Sequence, residues 1–177
     1  MSTLNILFIF INLTLFPISI FANTALNFNT PNHFKVNFKQ IKYLKHTDIK
    51  LSAEGTLELD KISKIILWTQ EKPFKNEISI RLEDLNDNSN MGNKVLKAIG
   101  KIFFDIFNGS TTDLEQNFKI NKINKTKVSL IPKDEKISQF LNEITIIGND
   151  NIENFYIQEK NGNYLHLTFE SFTVLDK

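Results

Sequence analysis

A period of two constrains this chain more than any other feature. Phe34, Val36 and Phe38 alternate with Lys35, Asn37 and Lys39, and the same apolar–polar alternation returns in short runs to the C-terminus. Leu57 and Leu59 alternate with Thr56, Glu58 and Asp60. Ile78, Ile80 and Leu82 alternate with Ser79, Arg81 and Glu83, and Leu165, Leu167 and Phe169 with Tyr164, His166 and Thr168. Between them lie the pairs Phe118/Ile120, Val128/Leu130, Ile144/Ile146 and Phe155/Ile157, and the apolar run around Leu67 and Trp68. A strand with one buried and one wetted face needs this pattern, because successive side chains point to opposite sides. Asn161-Gly162 marks a hairpin, since both residues tolerate positive φ. Asp60 to Ser63, Asn121 to Lys125 and Gly148-Asn149-Asp150 read as further turns. Short strands joined by tight turns predict an antiparallel meander, closed or nearly closed.

One stretch has a different period. In Met91 to Phe107, the residues Val95, Leu96, Ile99, Ile102, Phe103, Ile106 and Phe107 share one helical face, opposite Lys94, Lys97, Lys101 and Asp105. Asp87 to Asn90 supplies capping residues and Asn108-Gly109 a stop. Gly100 weakens the middle by roughly 1 kcal/mol relative to Ala. A lone amphipathic helix in a β meander must lay its apolar face on the sheet, either as plain core cover or as a lid over a cavity. Phe is abundant, at 16 residues, against one Trp. Composition does not separate a packed aromatic core from a cavity lining.

The N-terminus has the character of an export signal. Ile6 to Ala22 is apolar except for Asn12, Thr14, Pro17 and Ser19, too broken for a span that needs about 20 apolar residues. Cleavage is expected after Ala22, with Ala25 as second choice. The leading Met-Ser-Thr-Leu-Asn lacks Lys and Arg, so an uncleaved N-terminal anchor is the other reading. Residues 23–177 then form one domain of about 155 residues, enough chain for a real core. There is no cysteine, hence no disulfide, and no thiol to carry a bacterial lipid anchor. A net charge of +1 gives no strong pull toward nucleic acid.

Catalytic constellations are hard to find. His33, His46 and His166 have no metal-type spacing, and His33 and His166 fall on outward strand positions. No glycine-rich phosphate loop and no G-x-S-x-G occurs. Glu83-Asp84 and Ser110-Thr111-Thr112-Asp113 read as a solvated turn and a loop or cap. An enzyme is not expected, and no cofactor or metal is implied.

The order of these elements resembles the periplasmic outer-membrane lipoprotein carrier (LolA-like) family. The resemblance rests on the alternating strand ending in Phe38-Lys39-Gln40, the strand starting at Gly55, and the strand bearing Trp68 with Pro73 five residues on. Further along come the helix ending in Phe107-Asn108-Gly109, a re-entry strand from Asp113-Leu114 to Phe118, V-S-L-I-P-K at Val128 to Lys133, and Glu159-Lys160-Asn161-Gly162 before the last strand. There are departures. Pro31 and a spacer of about ten residues stand where better-known carriers have a long first helix, and the strand after Pro73 lacks the usual D-G-x-x-x-W. The turn Asp60-Lys61-Ile62-Ser63-Lys64 lacks the Arg-Pro pair that helps fasten the lid, and Lys61 lies nearest that place. The chain reads as a divergent branch.

The resemblance implies an antiparallel incomplete β-barrel, with the inserted helix as a lid over an apolar cavity. The cavity candidates are Phe34, Val36, Phe38, Leu57, Leu59, Leu67, Trp68, Ile78, Ile80 and Leu82, with Trp68 at the mouth or as a sheet anchor. The lid candidates are Val95, Ile99, Ile102, Phe103 and Ile106, with Lys61 as a lid contact. It implies a monomeric periplasmic carrier that ferries acylated lipoproteins or lipids from an inner-membrane releasing transporter to an outer-membrane acceptor. The alternative is a binding module of the same fold that senses or assembles rather than transports. An acyl chain gains about 0.8 kcal/mol per buried CH2, on the order of 10 kcal/mol for sixteen carbons. Such a carrier needs a hollow and no catalytic group.

Overall fold

The computed structural model describes Phe28, residues 30–86 and residues 94–175, with backbone alone for residues 85, 86 and 94–98. The expected export segment and the capping run Asp87–Asn90 lie outside the described residues. Among the described residues nine strands form: β1 (His33–Leu44), β2 (Ile49–Asp60), β3 (Ile65–Lys72), β4 (Asn76–Arg81), β5 (Phe118–Lys122), β6 (Lys127–Pro132), β7 (Leu141–Gly148), β8 (Ile152–Glu159) and β9 (Tyr164–Val174). All neighbours are antiparallel, in one open sheet of order β4-β3-β2-β1-β9-β8-β7-β6-β5. Two meanders therefore meet at the β1–β9 seam, and the edge strands are β4 and β5. These two are consecutive in the chain, so the segment joining them must run from one edge of the sheet to the other. It carries the helices α1 (Lys94–Asn108) and α2 (Thr111–Asn117), while a single turn of helix, α3 (Glu135–Ser138), joins β6 to β7.

Register puts the apolar positions on one face. Phe34 pairs with Leu59 and Val36 with Leu57; Leu130 pairs with Ile144, Ile146 with Phe155, and Phe155 with Leu167. All are buried, and α1 lies against them. The ring of Phe103 sits 6.1 Å from Trp68 of β3, 4.5 Å from Phe155 of β8 and 6.4 Å from Phe169 of β9. The first two distances hold Trp68 and Phe155 within about 11 Å of each other, although β3 and β8 are four strand steps apart, roughly 19 Å in a flat sheet. Inward lean of side chains closes part of that gap; the rest requires the sheet to roll around the helix.

The expected run of strands is present, and the open order corrects the expectation of near closure. The other differences have local causes. α2 occupies Thr111 to Asn117, where a loop and then a re-entry strand were expected. Its only large apolar residue is Leu114, so the stretch has no readable period. The single expected helix is joined by α2 and α3, the latter capped by the Asp134 carboxylate accepting from the Ile137 N–H at 3.0 Å. On α1 the polar side is not wholly wet. Phe104 and Asp105 are each 5% exposed, because α2 packs beside α1 and covers that flank.

Leu67 belongs on the other face. It pairs with Glu58 and Ser79, whereas Ile66 pairs with Leu59 and Ile80, and Trp68 with Leu57 and Ile78. Period-two geometry cannot place Leu67 and Trp68 on the same side. Ile66→Ala is therefore expected to lower unfolding free energy by about 2–5 kcal/mol and Leu67→Ala by less than about 1.5 kcal/mol, read by urea titration. Equal losses would contradict the assigned face.

Candidate functional site

Beneath the front half of α1 the packing opens. A cavity of about 230 Å3 lies between the helix and the β3–β4 edge of the sheet. Its floor is Ile66 and Trp68 of β3 with Ile78 and Ile80 of β4, its roof Ile99, Gly100 and Phe103, and its sides Leu165, Gln40 and Gln70. Gly100 sets the height of the roof: a Cβ there would stand 3.1 Å from two carbons of Ile80, so only glycine lets helix and strand come this close without displacing Ile80. At the ~30 Å3 that one water-sized group occupies, the cavity holds roughly eight methylenes. It is mainly apolar, with two amides at its side, and the Gln70 amide donates to Phe74 O at 3.1 Å.

The candidate residues divide in two. Trp68, Ile78, Ile80, Ile99 and Phe103 line the cavity. Phe34, Val36, Phe38, Leu57 and Leu59 are at most 2% exposed and form the filled core under the rear half of α1, with Ile102 and Ile106 pressed into it from above. Phe34 stands 5.3 Å from Phe107, and Phe38 stands 4.3 Å from Trp68. Leu82 packs against the core beyond the end of β4, and Leu67 faces away. The side chain of Val95 lies outside the described residues. The sequence reading omitted Ile66, Leu165, Gly100, Gln40 and Gln70. Strict alternation with Trp68 points to Ile66 in place of Leu67, whereas the two glutamines carry no signal that marks a cavity.

Lys61 bears on the rear of the helix through an intermediary. Its ammonium donates to Thr30 O at 2.6 Å, and the Thr30 hydroxyl donates to Phe107 O near the C-terminus of α1. Thr30 is buried, so the segment preceding β1 is pinned between the β2–β3 turn and the helix end. A cation near a helix C-terminus also complements the helix dipole. On the covered flank, Lys101 Nζ lies 2.8 Å and 3.1 Å from the two Asp105 carboxylate oxygens. Burial nevertheless holds the Asp105 carboxyl above the usual carboxylate range, opposed by Lys101.

A larger hollow, about 450 Å3, opens on the other face of the sheet, over β6 to β9. Glu143, Thr145, Tyr156, Gln158 and Tyr164 line it with Lys127 and Ile147. Its mixed polar wall suits an apolar chain less well than the smaller cavity does, so size is a poor guide to the site here. Among the described residues, no three His, Asp or Glu side chains stand close enough to hold a metal ion.

No protein-family model and no curated protein matches this chain. Among solved structures, a LolA superfamily protein from Nitrosomonas europaea overlays 87% of this chain and 90% of its own length, with 9% sequence identity and a TM-score of 0.42. That likeness is one of outline.

The Asp105 carboxyl gives a pH test. Its folded pKa lies above the ordinary 3.8, so the folded state holds the proton more tightly than the unfolded chain does. Stability is then greatest below 3.8 as far as this group is concerned, and falls as pH rises from 3.8 through the raised value. Asp105→Asn should remove that fall, so that variant and wild type diverge as pH rises across this window in thermal melts. Parallel profiles would show that Asp105 is not desolvated.

Proposed function

We propose that this protein binds the acyl chain of a lipoprotein or related lipid in the cavity beneath the front of α1, and carries it through the periplasm from inner to outer membrane. The observation that carries this reading is the cavity: an apolar space under an amphipathic helix, roofed at Gly100 and floored by Ile78, Ile80 and Trp68. The apolar N-terminal run with its export character and the order of motifs described above support the compartment and the cargo class. The role needs no catalytic group.

Magnitudes decide which part of α1 opens. Ile102, Phe103, Phe104, Ile106 and Phe107 are at most 5% exposed. Lifting all five into water costs on the order of 10 kcal/mol at about 2 kcal/mol each, comparable to the whole stability of a domain. Eight methylenes return only about 6 kcal/mol. The rear half therefore stays as the sheet's core, and the front half, through Gly100, acts as the lid. The Lys61–Thr30–Phe107 chain fastens the fixed end, not the moving one.

The filled rear half also favours a second reading, a periplasmic module of the same fold that binds without shuttling. Burial of about eight methylenes returns roughly 6 kcal/mol before the cost of association is met, a small return for a carrier that must hold its load through water.

Trp68 is the chain's one tryptophan and lines the cavity, so it reports directly. Dibromopalmitate should quench its fluorescence in a saturable titration. Gly100→Leu, which drives a side chain into the space held open against Ile80, should abolish the quenching and leave the β-type circular dichroism intact. Unchanged quenching in that variant would place the acyl site elsewhere. Phe103→Asp or Ile106→Asp would unfold the chain instead of opening a lid, because both side chains are buried in the core.

A further inference from the structure

The face of the sheet turned away from α1 carries an aromatic wall. Ser129, Thr145, Tyr156 and His166 lie in one line across β6, β7, β8 and β9, each opposite the next. Tyr156 and His166 stack, with ring centroids 4.1 Å apart and planes 10° from parallel. Cross-strand rings stacked so flatly stand upright on the sheet, with their faces turned along that line. His166 covers one face of Tyr156. The other face looks toward β7, where the residue opposite is Thr145, too short to cover a phenol ring. The hollow of about 450 Å3, lined by both residues, is the space this leaves. The wall is braced from behind. Asn154 Oδ1 lies 3.0 Å from His166 Nε2 and fixes the ring that backs Tyr156. Tyr164, which also lines the hollow, is backed in the same way: its ring stacks on Tyr43 at 5.2 Å, and the Tyr43 hydroxyl donates to Asp48 at 2.9 Å.

Polar groups surround the bare ring face. Two residues before and after Thr145, on the same side of β7, stand Glu143 and Ile147, and Lys127 lies opposite Ile147. The pairing of β7 slips between Leu141 and Glu143, and such bulges re-aim a side chain. One oxygen of the Glu143 carboxylate accepts from the Ser129 hydroxyl, a polar group only 3% exposed, and the other has no protein donor among the described residues. Lys127, Thr145 and Tyr156 make no side-chain hydrogen bond or ion pair among the described residues. A ligand for this space therefore has an apolar flat side and a rim of donors and acceptors. A pyranose sugar has both, with C–H bonds on its faces and hydroxyls around its ring. A flat aromatic ligand would cover Tyr156 but strip water from Glu143, Lys127 and Thr145 without replacing it, at a cost for each. An acyl chain would do the same. The charges of Glu143 and Lys127 offset, which favours a neutral sugar. At ~30 Å3 for each water-sized group the hollow takes roughly fifteen, against about twelve non-hydrogen atoms in a hexose, so one ring fits with the start of a second.

We propose that the hollow over β6 to β9 binds a neutral saccharide, with one pyranose ring stacked on the bare face of Tyr156 and its hydroxyls held by Glu143, Thr145 and Lys127. This site lies on the opposite side of the sheet from the cavity under α1, so it stands or falls apart from the acyl-binding reading.

The test uses calorimetry and saturation-transfer NMR on the full chain, with maltose, cellobiose and diacetylchitobiose as probes and adenosine as the flat aromatic control. At least one disaccharide should bind saturably with a Kd of about 1 mM or tighter, and transfer should be strongest to the C–H protons of one ring face. Tyr156→Phe keeps the platform and should retain binding, whereas Tyr156→Ala should weaken it about 10-fold or more. Thr145→Tyr sets a second ring against the bare face and should abolish binding. Its thermal midpoint should not fall, because cross-strand aromatic pairs support a sheet. Quenching of Trp68 by dibromopalmitate, on the opposite side, should be the same in all three variants. No saturable binding of any of the disaccharides at about 10 mM, or binding that survives both Tyr156→Ala and Thr145→Tyr, overturns the proposal. Adenosine binding that depends on Tyr156, with no sugar bound, overturns it in favour of a flat aromatic ligand.

Discussion

Everything in this structure depends on the contact of Phe103 with two strands of one sheet that lie four steps apart. Its ring lies close to Trp68 near one edge and to Phe155 four strands away, with Phe107 and Phe169 behind. A twisted open sheet of nine strands has no reason of its own to bring those positions together. The connection from β4 to β5 supplies the reason, because it must cross the sheet and carries an apolar face as it does so. The sheet rolls because rolling buries that face on several strands at once, at about 25 cal/mol for each Å2 removed from water.

The same wrapping explains why the interior has two halves of different character. Toward the C-terminus of α1, Phe103 and Phe107 meet Phe34, Phe155 and Phe169, and the aromatic volume fills the space. Toward its front the roof passes to Ile99 and Gly100, and the floor to Ile78 and Ile80 on a six-residue edge strand. Smaller groups over a short strand leave a hollow. Filled core and hollow thus lie under successive turns of a single helix.

Much of this was legible in the sequence, and the omissions have physical causes. Alternation located the strands because each has a wet face and a dry one. The helix stood out because Ile99, Ile102, Phe103 and Ile106 recur at its period. Leu67 was misplaced where a continuous apolar run, Ile65 to Trp68, masks the phase of the alternation; pairing with Glu58 and Ser79 resolves it. α2 was invisible because one leucine makes no pattern. The burial of Asp105 could not be read either, since it depends on α2 packing beside α1. Least legible was the division of the apolar face into core and cavity: Phe34 and Ile80 have the same local signature and differ only in what α1 places above them.

The account's central claim is that the hollow under the front of α1 receives an acyl chain while the rear stays closed. Its most direct test is an isotope-filtered NOE experiment on protein with 13C-labelled isoleucine methyls, saturated with unlabelled palmitate. The account predicts contacts from the methylene protons to Ile78, Ile80 and Ile99, and none to Ile144 or Ile146 of the filled core. Contacts confined to Ile147 on the opposite face, or absent from Ile78, Ile80 and Ile99, would contradict it.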